Sequence, residues 1–194
     1  MESSTNTAQD LERYRGYLRV LARAGLGRRL RRRLDESDIV QETFLEAYRS
    51  RAQLRGTTEP HVRAWLRTIL KRILSRVRRD HQREMRDIRM EVSIDELLDH
   101  SSARIACIGS LQAQGSTPSS KAMREERAVR IAAMLEELPE AQREVILLTY
   151  VDDLSTDEIA ADIGNTAVAV ASLRRRGLAE LRARGVIVQR QDGM

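Results

Sequence analysis

Five carboxylates, Asp35, Glu36, Asp38, Glu42 and Glu46, fall between residues 35 and 48 with no base among them. Clustered carboxylates can hold divalent metals for phosphodiester hydrolysis, provided that they converge on a pocket. Asp38, Glu42 and Glu46 instead repeat every four residues, which lays them along one stripe of a helix surface. The three histidines, His61, His81 and His100, lack metal-ligand spacing, and Cys107 is the single cysteine. Neither a zinc site nor an internal disulfide is expected from them, and the lone thiol reads as incidental. No Gly-rich phosphate loop or nucleophile–base arrangement is present. The expectation is a chain with no catalytic residue, no metal and no cofactor.

The basic residues point to a different chemistry. Of 194 residues, 34 are Lys or Arg, and only two of those are Lys. Between Leu11 and Arg33 nine arginines face one acid, Glu12, and between His61 and Met90 ten bases face three acids. From Ala171 to Arg190 six arginines face only Glu180. Blocks of alternating sign suit different partners on different faces: positive faces for phosphates, the acidic stretch for a basic protein. A guanidinium fork also matches phosphate and guanine edges.

Helices must position these charges, since apolar residues recur with a period near 3.6 and regular alternation is missing. A first helix is expected over Asp10–Ala24, ended by Gly25 and Gly27, with the basic cluster Arg28–Arg33 after it. A second starts after Leu34, with acids at the positive end of its dipole, and puts Val40, Phe44, Ala47 and Tyr48 on one face. A third begins near Pro60, which a first helical turn tolerates. Val62, Trp65, Leu66, Ile69, Ile73 and Val77 form its apolar stripe, and Arg63, Arg67, Lys71 and Arg78 lie on another face. Residues 91–120 read as a flexible linker ending in SLQAQGSTPSS, with a short helix at IDELL. Helical pattern returns at Lys121, breaks at Pro139 and resumes in PEAQREVILLTYV. The expected fold is all-α, with two small helical domains, 1–90 and 121–188, joined by the 91–120 linker and followed by a tail, 189–194. No signal peptide precedes the first helix and no apolar run approaches a membrane span, so a soluble, cytoplasmic protein without membrane insertion is expected.

The sharpest local pattern is LSTDEIAADIGNTAVAVASLRRRGLAELR. Ser155 and Glu158 have capping-box spacing. The short helix after them is expected to bury Ile159, Ala160 and Ile163. Gly164 falls where a left-handed residue must end it, and Thr166 can cap the next helix, which buries Val170, Leu173, Leu178 and Leu181. Small Ala160, turn-forming Gly164 and apolar Val170 fit a helix-turn-helix. Its second helix carries Ser172, Arg174, Arg175 and Arg176, and in this motif that helix enters the DNA major groove. A plain helical hairpin with a solvated basic face has the same spacing.

Three stretches taken together resemble the sigma factors of bacterial RNA polymerase, the sigma-70 family, in its small two-domain extracytoplasmic-function type. DESDIVQETFLEAYR is similar to the family's polymerase-binding helix. LRGTTEPHVRAWLRTILKRILSRVRR resembles the segment that melts and reads the downstream promoter element. LPEAQREVILLTYVDDLSTDEIAADIGNTAVAVASLRRRGLAELR looks like the domain that reads the upstream element. The resemblance implies that the helix with Asp38, Gln41, Glu42 and Phe44 docks on core RNA polymerase; for Phe44 itself, packing in the core is favoured over contact. It assigns the downstream element and its melted single strand to Arg55, His61, Arg63, Arg67, Lys71, Arg76, Arg78, Arg79 and Arg83, and the upstream duplex to Thr166, Ser172, Arg175 and Arg176. Trp65 could stack on a base, but its place on the apolar stripe favours the core. Members of this type are often held by an anti-sigma partner, and no residue pattern here identifies one. The chain departs from the family at Leu54, Arg72, Ala171 and Leu173, where an aromatic, an Asn, a base and a polar residue are usual, which implies an unusual promoter sequence.

Three other readings stay open on the residues alone. A helix-turn-helix regulator that binds DNA without joining polymerase would explain 121–188 and leave the acidic helix unused. A metal-dependent nuclease would need the carboxylates to converge. A protein–protein adaptor would bind no DNA even at low salt.

Overall fold

The computed structural model describes residues 11–54, 56–85, 93–108 and 121–184. Eight α-helices and one 3-10 turn make up its regular structure, with no strand among the described residues. They group into two units, residues 1–100 and 101–194.

In the first unit, α1 (Arg15–Arg31), α2 (Glu36–Arg49) and α3 (Glu59–Met85) pack on one another. The helix α1 runs past its expected end. Gly25 stays helical and Gly27 alone breaks the path, at φ 66° and ψ 167°, before the turns resume to Arg31. Gly25 is a close-approach position: a Cβ there would overlap Leu74 Cδ1. The Asp35 carboxylate caps α2 by accepting from the Ser37 amide at 2.7 Å. Val40, Phe44 and Ala47 are buried on its inner face. Tyr48, expected beside them, is 41% exposed. The 3-10 turn Arg51–Gln53 leads to α3.

Apolar α3 is broader than the expected stripe. Leu66, Ile69, Leu70, Ile73 and Leu74 are buried, whereas Val62, Trp65 and Val77 are only partly covered. Leu74 lies directly under Gly25 of α1, and Trp65 is half-buried.

Helix α4 (Ile94–Ile108) occupies sequence expected to be linker. It is 15 residues long, far more than the short helix expected at IDELL, and the division between the units falls within it. Leu98, Ser101, Ser102, Ile105 and Ile108 are all buried, a spacing of three to four that marks one helix face. The stretch SLQAQGSTPSS lies outside the described residues, as does the 189–194 tail.

The second unit contains α5 (Lys121–Glu136), α6 (Glu140–Tyr150), α7 (Thr156–Ile163) and α8 (Ala167–Ala183). Val145, Leu148, Ile159, Ala160 and Val170 form a buried cluster, with Leu154 and Leu173 against it. Gly177 lets α8 approach α6, where a Cβ would lie 2.7 Å from Ile146 Cδ1.

Candidate nucleic-acid interface

The turn between α7 and α8 is built by three local devices. The Ser155 hydroxyl accepts from the Glu158 amide, and the Glu158 carboxylate accepts from the Ser155 amide at 2.8 Å, a closed capping box. Gly164 takes the left-handed conformation at φ 65° and ψ 41°, where a Cβ is strained and glycine is not. Thr166 Oγ1 accepts from the Ala169 amide at 3.2 Å and starts α8. Arg174 then donates to Thr156 Oγ1 at 3.2 Å, tying the second helix to the first. This is a helix-turn-helix. Ile163 is the one departure within α7: expected inside, it is 37% exposed, because the left-handed Gly164 ends the helix before a further turn can cover it.

Buried Val170, Gly177 and Leu181 define the inner side of α8. The opposite side carries exposed Val168, Ala171, Arg175, Arg176 and Ala179 and half-buried Ser172. Of the expected upstream contacts, Thr166, Arg175 and Arg176 are exposed and Ser172 is partly so. Thr166 is also the α8 cap, so its side chain has a structural role already. Val168 was not singled out from sequence, although it lies three residues before Ala171 and seven before Arg175, the spacing of one helix face.

The first unit distributes its expected residues unevenly. On α2, Asp38 and Gln41 are exposed. Glu42, expected to meet the same partner, is half-buried and forms an ion pair with Arg76 of α3. Arg76 was expected on nucleic acid, so two residues expected to meet different partners hold each other. The pair keeps Arg76 firmly protonated, its pKa raised above the ordinary value, and as a surface contact it adds at most about 1 kcal/mol. Beside Asp38 and Gln41 stand two exposed apolar residues not expected on this face, Leu45 at 55% and Tyr48. Their positions follow Asp38 by seven and ten residues, so the helical period was the available signal.

On α3, Arg63 and Arg78 are only 4% and 5% exposed. This corrects the expectation that they belong to a solvated phosphate-tracking face. The wide arc of buried leucines turns them inward, and burial lowers the Arg78 pKa from its ordinary value. Arg78 Nη1 has no hydrogen-bond partner among the described residues. Arg67 donates to the Tyr17 hydroxyl at 2.8 Å and to Asp99 Oδ1 of α4 at 2.6 Å. Lys71 is ion-paired to Asp95, one turn earlier on α4. His61 is exposed, its Nδ1 2.5 Å from Thr58 Oγ1, and its ring covers Gly56 at φ 98°. Arg79 is exposed and has no ion-pair partner among the described residues. Arg72, notable in sequence only as a departure from the family, has the same status. Arg55 lies outside the described residues, and so does the side chain of Arg83.

Among the described residues no three potential metal ligands cluster, and no helix is long and apolar enough to cross a membrane. The acids of α2 line a convex helix surface and do not converge.

No curated protein matches the chain. Two family profiles do match, in order and without overlap: "Sigma-70 region 2" over residues 12–84, spanning α1 to α3, and "Sigma-70, region 4" over residues 128–181, spanning the helix-turn-helix. Together they cover about two thirds of the chain. With a helical region 2 unit, a region 4 helix-turn-helix and this spacing between them, the chain belongs to the sigma-70 family of promoter-recognising transcription initiation factors, in its extracytoplasmic-function type.

Proposed function

We propose that this sigma factor binds core RNA polymerase through α2, opens the downstream promoter element along α3, and reads the upstream element with α8. The observation that carries the proposal is the outer face of α2, where Leu45 and Tyr48 are exposed beside Asp38 and Gln41. A regulator that binds DNA alone has no use for an apolar and acidic patch on a helix remote in sequence from its helix-turn-helix. Apolar centre and charged rim are what a protein partner with a basic, partly apolar surface would cover.

On α3, the exposed Arg72 and Arg79, free of ion pairs among the described residues, are the first candidates for the phosphates of a melted strand. His61, on the N-terminal turn, stands next to the loop that would receive a flipped base. Holding a base outside the duplex costs a few kcal/mol, and a basic surface along the freed strand offsets part of it. Arg67, Lys71 and Arg76 would join only by giving up Asp99, Asp95 and Glu42. On α8, Arg175 and Arg176 would bind phosphates and set the register of the helix in the groove.

Reconstitution tests the proposal. The purified chain should co-elute with core polymerase and direct transcripts from a defined set of starts in a genomic DNA library. Leu45→Ala with Tyr48→Ala should weaken assembly at least tenfold while leaving the helical circular dichroism spectrum unchanged, the scale expected when two apolar anchors are truncated (about 1–2 kcal/mol each). A folded chain that binds promoter-length duplex but never retains core polymerase would establish the stand-alone regulator instead.

A further inference from the structure

The first two turns of α8 carry no charge. Residues 167–173 are Ala, Val, Ala, Val, Ala, Ser and Leu, and Arg174 is the first base. Val170 points into the core. Outward stand Val168, 80% exposed, and exposed Ala171, with half-buried Ser172 on the far side of Val168 from Ala171. A single exposed valine on an ordinary surface needs no explanation. This one stands on the N-terminal turn of the second helix of a helix-turn-helix, the part that meets base edges. Neither Val168 nor Ala171 can form a side-chain hydrogen bond with a base or a phosphate. One group on the major-groove edge of a base pair gains from contact with them: the 5-methyl of thymine.

We propose that Val168 and Ala171 read thymine methyl groups, so that the upstream element carries thymines at neighbouring base-pair steps; this rests on the sigma-factor reading of α8 given above. Three helical residues rise about 4.5 Å, close to one base-pair step of about 3.4 Å, so the two side chains meet successive steps. Ser172 is the only outward group in these turns that can hydrogen-bond, and its hydroxyl accepts either base at the edge of the pair. Arg175 and Arg176 follow one turn on and have no ion-pair partner among the described residues. They reach the phosphates that bound the methyl-lined steps and fix the helix at a depth where the valine methyls touch the groove floor. Specificity at these steps thus comes from removing apolar surface from water, and one methyl contributes about fourfold in affinity.

The test uses holoenzyme assembled from the full chain and core polymerase. A promoter is first selected from a random duplex library, and each thymine of its upstream element is then replaced by deoxyuridine, which deletes the methyl and keeps the pairing. At one or two adjacent positions the substitution should cost about fourfold in binding. In the Val168→Ala holoenzyme one of these positions should become insensitive to it. Binding that is indifferent to deoxyuridine throughout the element, on a promoter the holoenzyme still selects, would overturn the methyl readout and leave the sigma-factor reading standing. So would Val168→Ala weakening thymine and deoxyuridine duplexes equally, since the valine would then touch something other than a methyl. If folded chain and core polymerase select no promoter at all, both readings fall together.

Discussion

Among the arginines of α3, neighbours in sequence have opposite environments. Arg78 is buried with an Nη1 unpaired among the described residues and Arg79 is exposed, yet nothing in the types of the two residues separates them. Periodicity places a side chain on a face, but the width of the buried face depends on what α1 offers, and Leu70 and Leu74 widen it beyond the stripe read from sequence. Arg78→Met should therefore leave thermal stability unchanged or raise it, because a desolvated cation with an unmade hydrogen bond costs about 1–3 kcal/mol. It should also leave promoter affinity unaltered. Arg72→Ala with Arg79→Ala should weaken open-complex formation and lower the slope of log affinity against log salt by about 1.4, about 0.7 for each single-strand phosphate left without its arginine. A fall in affinity from Arg78→Met without loss of stability would mean that this side chain leaves its buried site to meet DNA. Gly25 is read differently in sequence and structure as well. It reads as a helix stop, whereas it is helical and needed for its missing side chain. Gly25→Ala would drive a Cβ into Leu74 Cδ1, with Cδ2 and Cγ of the same side chain at 3.1 and 3.3 Å. Calorimetry should show a net loss of about 1–3 kcal/mol despite alanine's better helix propensity.

Elements with local signals were legible, and those defined by a partner were not. The helix-turn-helix carries its own instructions: a reciprocal cap at Ser155 and Glu158, a left-handed glycine at 164 and a threonine cap at 166 are short-range chemistry. Each was readable in sequence and each is present. Ser155→Ala should cost the second unit about 1 kcal/mol, seen as a lower midpoint in thermal unfolding. Helix α4 is the opposite case. Two of its buried stripe positions are Ser101 and Ser102, so an apolar-only reading breaks there and the helix resembles linker. Its charged positions make sense only beside α3, where Asp95 meets Lys71 and Asp99 meets Arg67. The outer face of α2 was half legible. Asp38 and Gln41 were assigned to it by family resemblance, whereas Leu45 and Tyr48 were hidden by the habit of placing large apolar residues inside, a rule that runs in only one direction.

At the scale of the whole chain, two helical units were legible from order and charge, because each carries its own stripes and its own caps. Which cations stay available to a partner was not, since that depends on pairings across helices. The four residues separating Asp95 from Asp99 match the four separating Arg67 from Lys71. That match has a consequence for any experiment that counts phosphates by ionic strength. A polyanion arriving at α3 meets two cations that already own a fixed, intramolecular counter-charge. A carboxylate displaced there takes up a cation as the phosphate sheds one, so up to two phosphates engaged at this site would go uncounted. In Asp95→Asn with Asp99→Asn those phosphates should become visible, steepening the slope by up to about 1.4 and raising affinity most at low salt. An unchanged slope would mean that Arg67 and Lys71 keep to the protein when DNA is bound.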